Sequence, residues 1–206
     1  PAITYGLRGI TYFQLELNGP NRDLHSGAFG GAVTNPANAL SKILSGLMNE
    51  DGQIQIPGFY DDVIDVTPRE REEYNNLNFD DAEFMKDLGV TGVTGEKGYS
   101  TLERRWARPT FDVNGLWSGY QGEGAKTVLP AEAGAKMSFR LVPNQDPKRV
   151  YEGLHQRISE LCPPGIQFKL IDMHGAPGVV VPLENPFMEP AARAVEQGFG
   201  TRPVFI

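Results

Sequence analysis

The stretch EAGAKMSFRLV, residues 132 to 142, alternates without a break. Ala135, Met137, Phe139 and Leu141 fall on one side of an extended chain, and Lys136, Ser138 and Arg140 fall on the other. Successive side chains of a strand point to opposite faces, so this is a strand with one buried face and one wet face. Residues 10 to 18 repeat the pattern, with Phe13, Leu15 and Leu17 against Gln14 and Glu16. RPTFDVNGLW, residues 108 to 117, places Phe111 and Val113 on one side, and Ile166, Phe168 and Leu170 mark a fourth strand.

Two amphipathic helices separate these strands. Asn35-Pro36 is an N-cap followed by a first-turn proline, and it opens a helix with Leu40, Ile43, Leu44, Leu47 and Met48 on one face. Asp51-Gly52 closes it with a turn. Asp146-Pro147 opens the second, which carries Val150, Leu154, Ile158 and Leu161. The order is β-α-β-β-α-β. It predicts an α+β, ferredoxin-like domain over residues 9–178, a four-stranded antiparallel sheet with two helices on one face.

Residues 53 to 108 break that rhythm. Thr67-Pro68-Arg69-Glu70 is a capping box, Asp80 to Glu83 repeats the device, and Gly89 is placed to end the second helix. The segment reads as a helical insertion on the surface. Residues 1–8 and 179–206 lie outside the domain. Asn185-Pro186 is expected to open a further helix, and RPVFI to begin a strand whose sheet the chain does not supply. With a first segment that already reads as strand, the expectation is a piece of a longer protein.

Composition narrows the function classes. Hydrophobic residues make up 40% and charged residues 22%, as in an ordinary soluble globular protein. The net charge of −7, with no Lys/Arg cluster, argues against a nucleic-acid partner. No apolar run approaches the roughly 18 residues that span a bilayer, so no membrane partner is expected. A single cysteine, Cys162, excludes an internal disulfide and fits a reducing, cytoplasmic setting.

Few residues offer chemistry. SGYQGEGAKT, residues 118 to 127, nearly fits a phosphate-binding loop, but Ala125 stands where the lysine must be and a strand follows instead of a helix. His155 has Tyr151 and Ser159 one turn to either side, and His174 has no second ligand at a metal-binding spacing. Both read as surface histidines, and Cys162 reads as an inert helix-end residue. Arg140, on the wet face of its strand, is either a solvated arginine or a fork that receives a carboxylate in two hydrogen bonds. His25 sits in RDLHSGAFGGAV, residues 22 to 33, among small residues that give it nothing to pack on. Flanked by Asp23 and Ser26, it is a capping residue or a catalytic one.

RDLHSGAFGG, then NPANAL and DGQIQIPGFYDDV, then FDVNGLWSGYQGEGAKTVLPAEAGAKMSFRLVPNQDP, resemble the dipeptidase branch of peptidase family M20 in order and spacing over nearly the whole chain. The resemblance implies a lid and dimerisation domain inserted in a catalytic domain that holds two zinc ions, with residues 1–8 and 179–206 as catalytic-domain pieces. It implies a homodimer that hydrolyses dipeptides. No HxD pair and no tandem Glu-Glu is present, so no zinc ligand is expected in this chain, and the isolated chain is expected to be inactive. By the same resemblance His25 is the lid histidine that reaches into the partner subunit's active site. There it would stabilise the oxyanion formed as zinc-bound hydroxide attacks the amide. Arg140 would hold the substrate's C-terminal carboxylate, and Thr127 would contact the substrate. Two other readings stay open: a small-ligand-binding regulatory dimer, which the fold alone permits, and an N-acyl amino acid amidohydrolase.

Overall fold

The computed structural model describes all 206 residues. In chain order the first elements are β1 (Ala2–Ile3), β2 (Gly6–Leu7), β3 (Gly9–Asn18), β4 (Leu24–His25), α1 (Ser26–Phe29) and α2 (Pro36–Ser45). The insertion contributes α3 (Pro68–Asn75), α4 (Asp81–Leu88) and α5 (Thr101–Trp106). Then come β5 (Thr110–Ser118), β6 (Val128–Leu129), β7 (Glu132–Leu141), α6 (Pro147–Leu161) and β8 (Gln167–Ala176). The chain ends with β9 (Val179–Val180), α7 (Met188–Phe199) and β10 (Val204–Phe205).

The four long strands form one antiparallel sheet in the order β5-β7-β3-β8. With α2 and α6 as the two crossovers, this is the α+β, ferredoxin-like arrangement that the alternation predicts. The strand read first, β7, is central, paired from Gly9↔Leu141 to Asn18↔Glu132 with β3 and with β5 on its other side. Its apolar positions Ala135, Met137, Phe139 and Leu141 are fully buried, as are Phe13, Leu15 and Leu17 of β3. Ile43 of α2 and Leu154 and Ile158 of α6 close over them in a single cluster. Burying a large aliphatic or aromatic side chain contributes about 1.5–3 kcal/mol, so this face carries most of the domain's stability.

Four local expectations are corrected. α2 stops at Ser45, so Leu47 is buried beyond the helix while Met48 is 44% exposed and bridges to Ile54. Val113 has the inward parity but is 39% exposed, because β5 is an edge strand with an irregular register between Val113 and Gly115. Asp80 caps α4 by accepting from the Ala82 and Glu83 N–H groups, without the return arm of a full capping box. Asn185 does not open a helix: its carboxamide accepts from the Phe187 N–H in a turn, and α7 starts at Met188.

The two ends of the chain meet. β10 pairs in parallel with β1, supplying the partner that RPVFI needs, and β2 pairs antiparallel with β9. Tyr5, Leu183, Met188, Ala192 and Phe205 form a second small core there. Helix α3 docks onto this unit: the Tyr5 hydroxyl donates to Glu70 Oε1 at 2.8 Å. That hydrogen is thereby committed, so Tyr74, whose hydroxyl lies 3.1 Å away, is the donor to Tyr5. Inside the insertion a buried ion pair, Arg108 Nε and Nη2 to Glu96 Oε2 and Oε1 at 2.7 and 2.8 Å under the Tyr99 ring, ties its last residue, next to β5, to the loop before α5.

Candidate functional site

The sequence places His25 and Thr127 in separate loops more than a hundred residues apart, and the fold joins them. The short ladder of β4 and β6 pairs Leu24 with Leu129 and His25 with Val128. The Ser26 N–H donates to the Thr127 carbonyl at 3.0 Å, and Asp23 Oδ1 receives the Ala131 N–H at 2.9 Å. His25 Nδ1 accepts from the Gly27 N–H at 3.1 Å and so caps the one-turn helix α1. An accepting Nδ1 carries no hydrogen, which puts the imidazole's hydrogen on Nε2. Nε2 lies 3.0 Å from Thr127 Oγ1, so the ring N–H donates to the hydroxyl and the hydroxyl's own hydrogen is left to donate elsewhere. Both side chains are exposed. A Cβ at Gly27 would sit 2.9 Å from the imidazole Cε1, so a side chain there would displace the ring.

Arg140 stands elsewhere. It follows Glu132 by eight residues along an unbroken strand, which at 3.4 Å per residue is about 27 Å. The His25–Thr127 pair is anchored at the Glu132 end, where the Gly19 N–H donates to the Ala131 carbonyl. Arg140 is at the other end, paired with Ile10 and Thr110, close to the unit built from the chain ends. It is exposed on the sheet face that carries no helix. Positive charge gathers here: burial, then the charge of Arg140, push the Arg8 guanidinium below the usual arginine range, with Asp112 opposing and Arg105 adding to the effect. An end of the sheet with three arginines and one aspartate suits a carboxylate. A cavity of about 500 Å3 lies beside Arg8 and Arg105, between the chain-end unit and the insertion, and His25 does not line it.

Neither His155 nor His174 joins His25. No group of three His, Cys, Asp or Glu side chains converges in a way that could hold a metal ion, so the residues present do not fit a zinc centre. His155 is exposed, with its ring 5.1 Å from that of Phe168. Cys162 is half-buried, and burial pushes its thiol up, away from the reactive thiolate. No helix is long and apolar enough to cross a membrane.

Comparison with known proteins gives one answer. Residues 5–166 match the family model M20_dimer, described as a peptidase dimerisation domain. A Cys-Gly metallodipeptidase of Schizosaccharomyces pombe is 32% identical over 209 aligned residues, covering 100% of this chain and 44% of that protein. The crystal structure of an M20 family metallo-carboxypeptidase from Sulfolobus solfataricus superposes with a TM-score of 0.86 at 33% identity, over all of this chain and 46% of that one. Human carnosine dipeptidase 1 superposes with a TM-score of 0.81 at 29% identity, over all of this chain and 44% of that one. The chain thus spans less than half the length of the relatives it matches.

Proposed function

The chain belongs to the M20 peptidase dimerisation-domain family, and we propose that it is the lid and dimerisation part of a homodimeric metallopeptidase that hydrolyses dipeptides. On this reading residues 9–178 form the lid, and residues 1–8 and 179–206 are pieces of the catalytic domain into which it is inserted. The side-by-side exit and return of the chain through β2 and β9 supports that division. The metal ions, zinc by family precedent, would be held by residues outside this chain, and the isolated chain would not turn over substrate. A reducing, cytoplasmic setting accommodates the unpaired Cys162.

One observation carries the assignment of roles. A dipeptide spans about 7 Å, whereas the Glu132 end of β7, where the His25–Thr127 pair is anchored, lies about 27 Å along the strand from Arg140. No single small substrate touches both on one copy. Two copies related by a twofold axis bring the His25–Thr127 pair of one against Arg140 of the other. Arg140 then holds the free carboxylate of the substrate with its guanidinium fork. His25 Nε2–H, with the Thr127 hydroxyl beside it, donates to the carbonyl oxygen as that oxygen gains negative charge. The neutral Nε2–H tautomer, fixed by the Gly27 N–H, is the form this task needs.

The test is His25→Ala in the full-length enzyme with bound metal measured in parallel. The expected result is a kcat lowered by about 100-fold or more at unchanged metal content, the size of one lost oxyanion donor. An unchanged kcat would make the imidazole a structural cap and remove the assignment. The likeness to a metallo-carboxypeptidase favours a second reading in which longer peptides are trimmed from the same anchored carboxylate. Turnover of tripeptides at rates equal to dipeptides would select it.

A further inference from the structure

The sheet face that carries Arg140 holds a second feature. Tyr12 of β3 lies directly opposite Ser138 of β7, two residues along from Arg140, and opposite His174 of β8 on its other side. The two rings stack, 5.5 Å between centroids and 13° between planes. Within the chain each has only the other as a ring partner. Both sit on the helix-free face, where Tyr12 is half-buried and His174 is exposed.

His174 is there because of an irregularity. From Phe168 through Leu170 to Asp172, the even-numbered residues of β8 oppose Leu17, Leu15 and Phe13, whose side chains point into the core. Continued regularly, that parity would send His174 inward as well. Instead the register shifts between Tyr12 and Phe13, leaving Met173 as an extra residue and pairing His174 with Tyr12 on the outer face. Bulges of this kind re-aim side chains and are found beside active sites more often than elsewhere.

We propose that the Tyr12–His174 pair is the subsite for the side chain of the substrate's C-terminal residue, and that it favours a planar, aromatic side chain. This deepens the reading above and rests on Arg140 as the carboxylate anchor. Two residues along a strand is about 7 Å and one strand across is about 5 Å, so the pair begins within a side chain's length of a carboxylate held at Arg140. Between them on this face stand Ser138, which is small, and Ile10, which is opposite Arg140 and offers further apolar surface beside the pair. An aromatic ring laid against this ledge gains stacking contact beyond the area it buries, while a C-terminal glycine gains nothing there.

The experiment compares Ala-Phe with Ala-Gly hydrolysis by the full-length enzyme carrying His174→Ala, Tyr12→Leu or Arg140→Ala. His174 is at an exposed edge and its loss leaves the core intact; Tyr12→Leu keeps apolar bulk on the strand. Both variants are expected to lower kcat/KM for Ala-Phe by about tenfold, through KM, the size of one aromatic contact. Ala-Gly should stay within about twofold over the same comparison. Equal losses on both substrates, or no loss on either, would overturn the subsite while leaving the anchor in place. Arg140→Ala is expected to impair both substrates alike. If it impairs neither, the anchor itself fails and the subsite falls with it.

Discussion

Mixing two inactive variants tests the division of the site between two chains. One full-length preparation carries His25→Ala and the other Arg140→Ala. Each homodimer is defective at both of its sites: the first loses the charge-stabilising donor, about 100-fold or more in kcat, and the second loses a charge-assisted anchor, about 10- to 100-fold in kcat/KM. In a heterodimer the lesions redistribute. The site that draws Arg140 from the first chain takes its histidine from the second, and both are intact; the other site carries both lesions. Free exchange gives about half heterodimers with one working site of two, so about one quarter of wild-type activity returns. The assay is dipeptide turnover after dissociation and re-association, with exchange followed through a size tag on one chain. If heterodimers form and activity stays at the level of the separate variants, His25 and Arg140 serve the same chain's site. The strand geometry of β7 would then have misled us.

Three further outcomes follow from packing and charge. Phe139, fully buried between the rings of Phe111, Phe13 and Phe59 at 4.9, 6.0 and 5.9 Å, is the centre of the core, and Phe139→Ala should cost about 3–5 kcal/mol in urea unfolding. Glu96→Ala strands the buried Arg108 guanidinium and should destabilise the insertion by about 3–5 kcal/mol. Hydrogen exchange would report this as faster exchange in α3 and α5 with β7 still protected; uniform loss across the chain would contradict a local role. Burial, and the hydrogen bond it donates to the Glu70 carboxylate, hold the Tyr5 hydroxyl above the usual tyrosine range. A folded pKa raised above the unfolded value of about 10 gives stability that is complete below that pH and lost as pH rises beyond it. Chemical unfolding between pH 8 and 11 should therefore show an alkaline loss that is smaller in Tyr5→Phe.

The sheet was legible because its signal is local and repeated. Ten residues of alternation in β3 and β7, and two Asx-Pro caps, determine which elements form and which faces meet. What escaped the sequence is short or non-local. Ser100 and Glu103 form a full capping box for α5, a signal only four residues long inside a charged segment. The joining of His25 to Thr127 runs through a ladder two residues long, too brief to leave a pattern. The partner of β10 is the first strand of the chain, a contact that only closure of the fold reveals. His174 looked like a plain surface histidine because a bulge changes parity without changing composition.

The same alternation that makes β7 easy to read also separates its duties. The inward positions, Ala135 to Leu141, have no polar atoms to offer a substrate and cannot be changed without a cavity or a clash. The outward positions, Lys136, Ser138 and Arg140, contribute little to the core and are free to carry chemistry. A strand of ten residues is also a ruler: it holds Arg140 at one end and, through the Ala131 carbonyl and the β6 turn, His25 and Thr127 at the other. If the pair were closer, a single copy could assemble the whole site and dimerisation would serve stability alone. With the two ends of β7 about 27 Å apart, the proposed function makes the lid half of a pair, each copy completing the site of the other. Shortening that ruler, by deleting two residue pairs from β3 and β7 together, would preserve face parity and the core pattern while moving Arg140 about 7 Å toward the histidine. The mutual site would then lose its registration even if the sheet still folded.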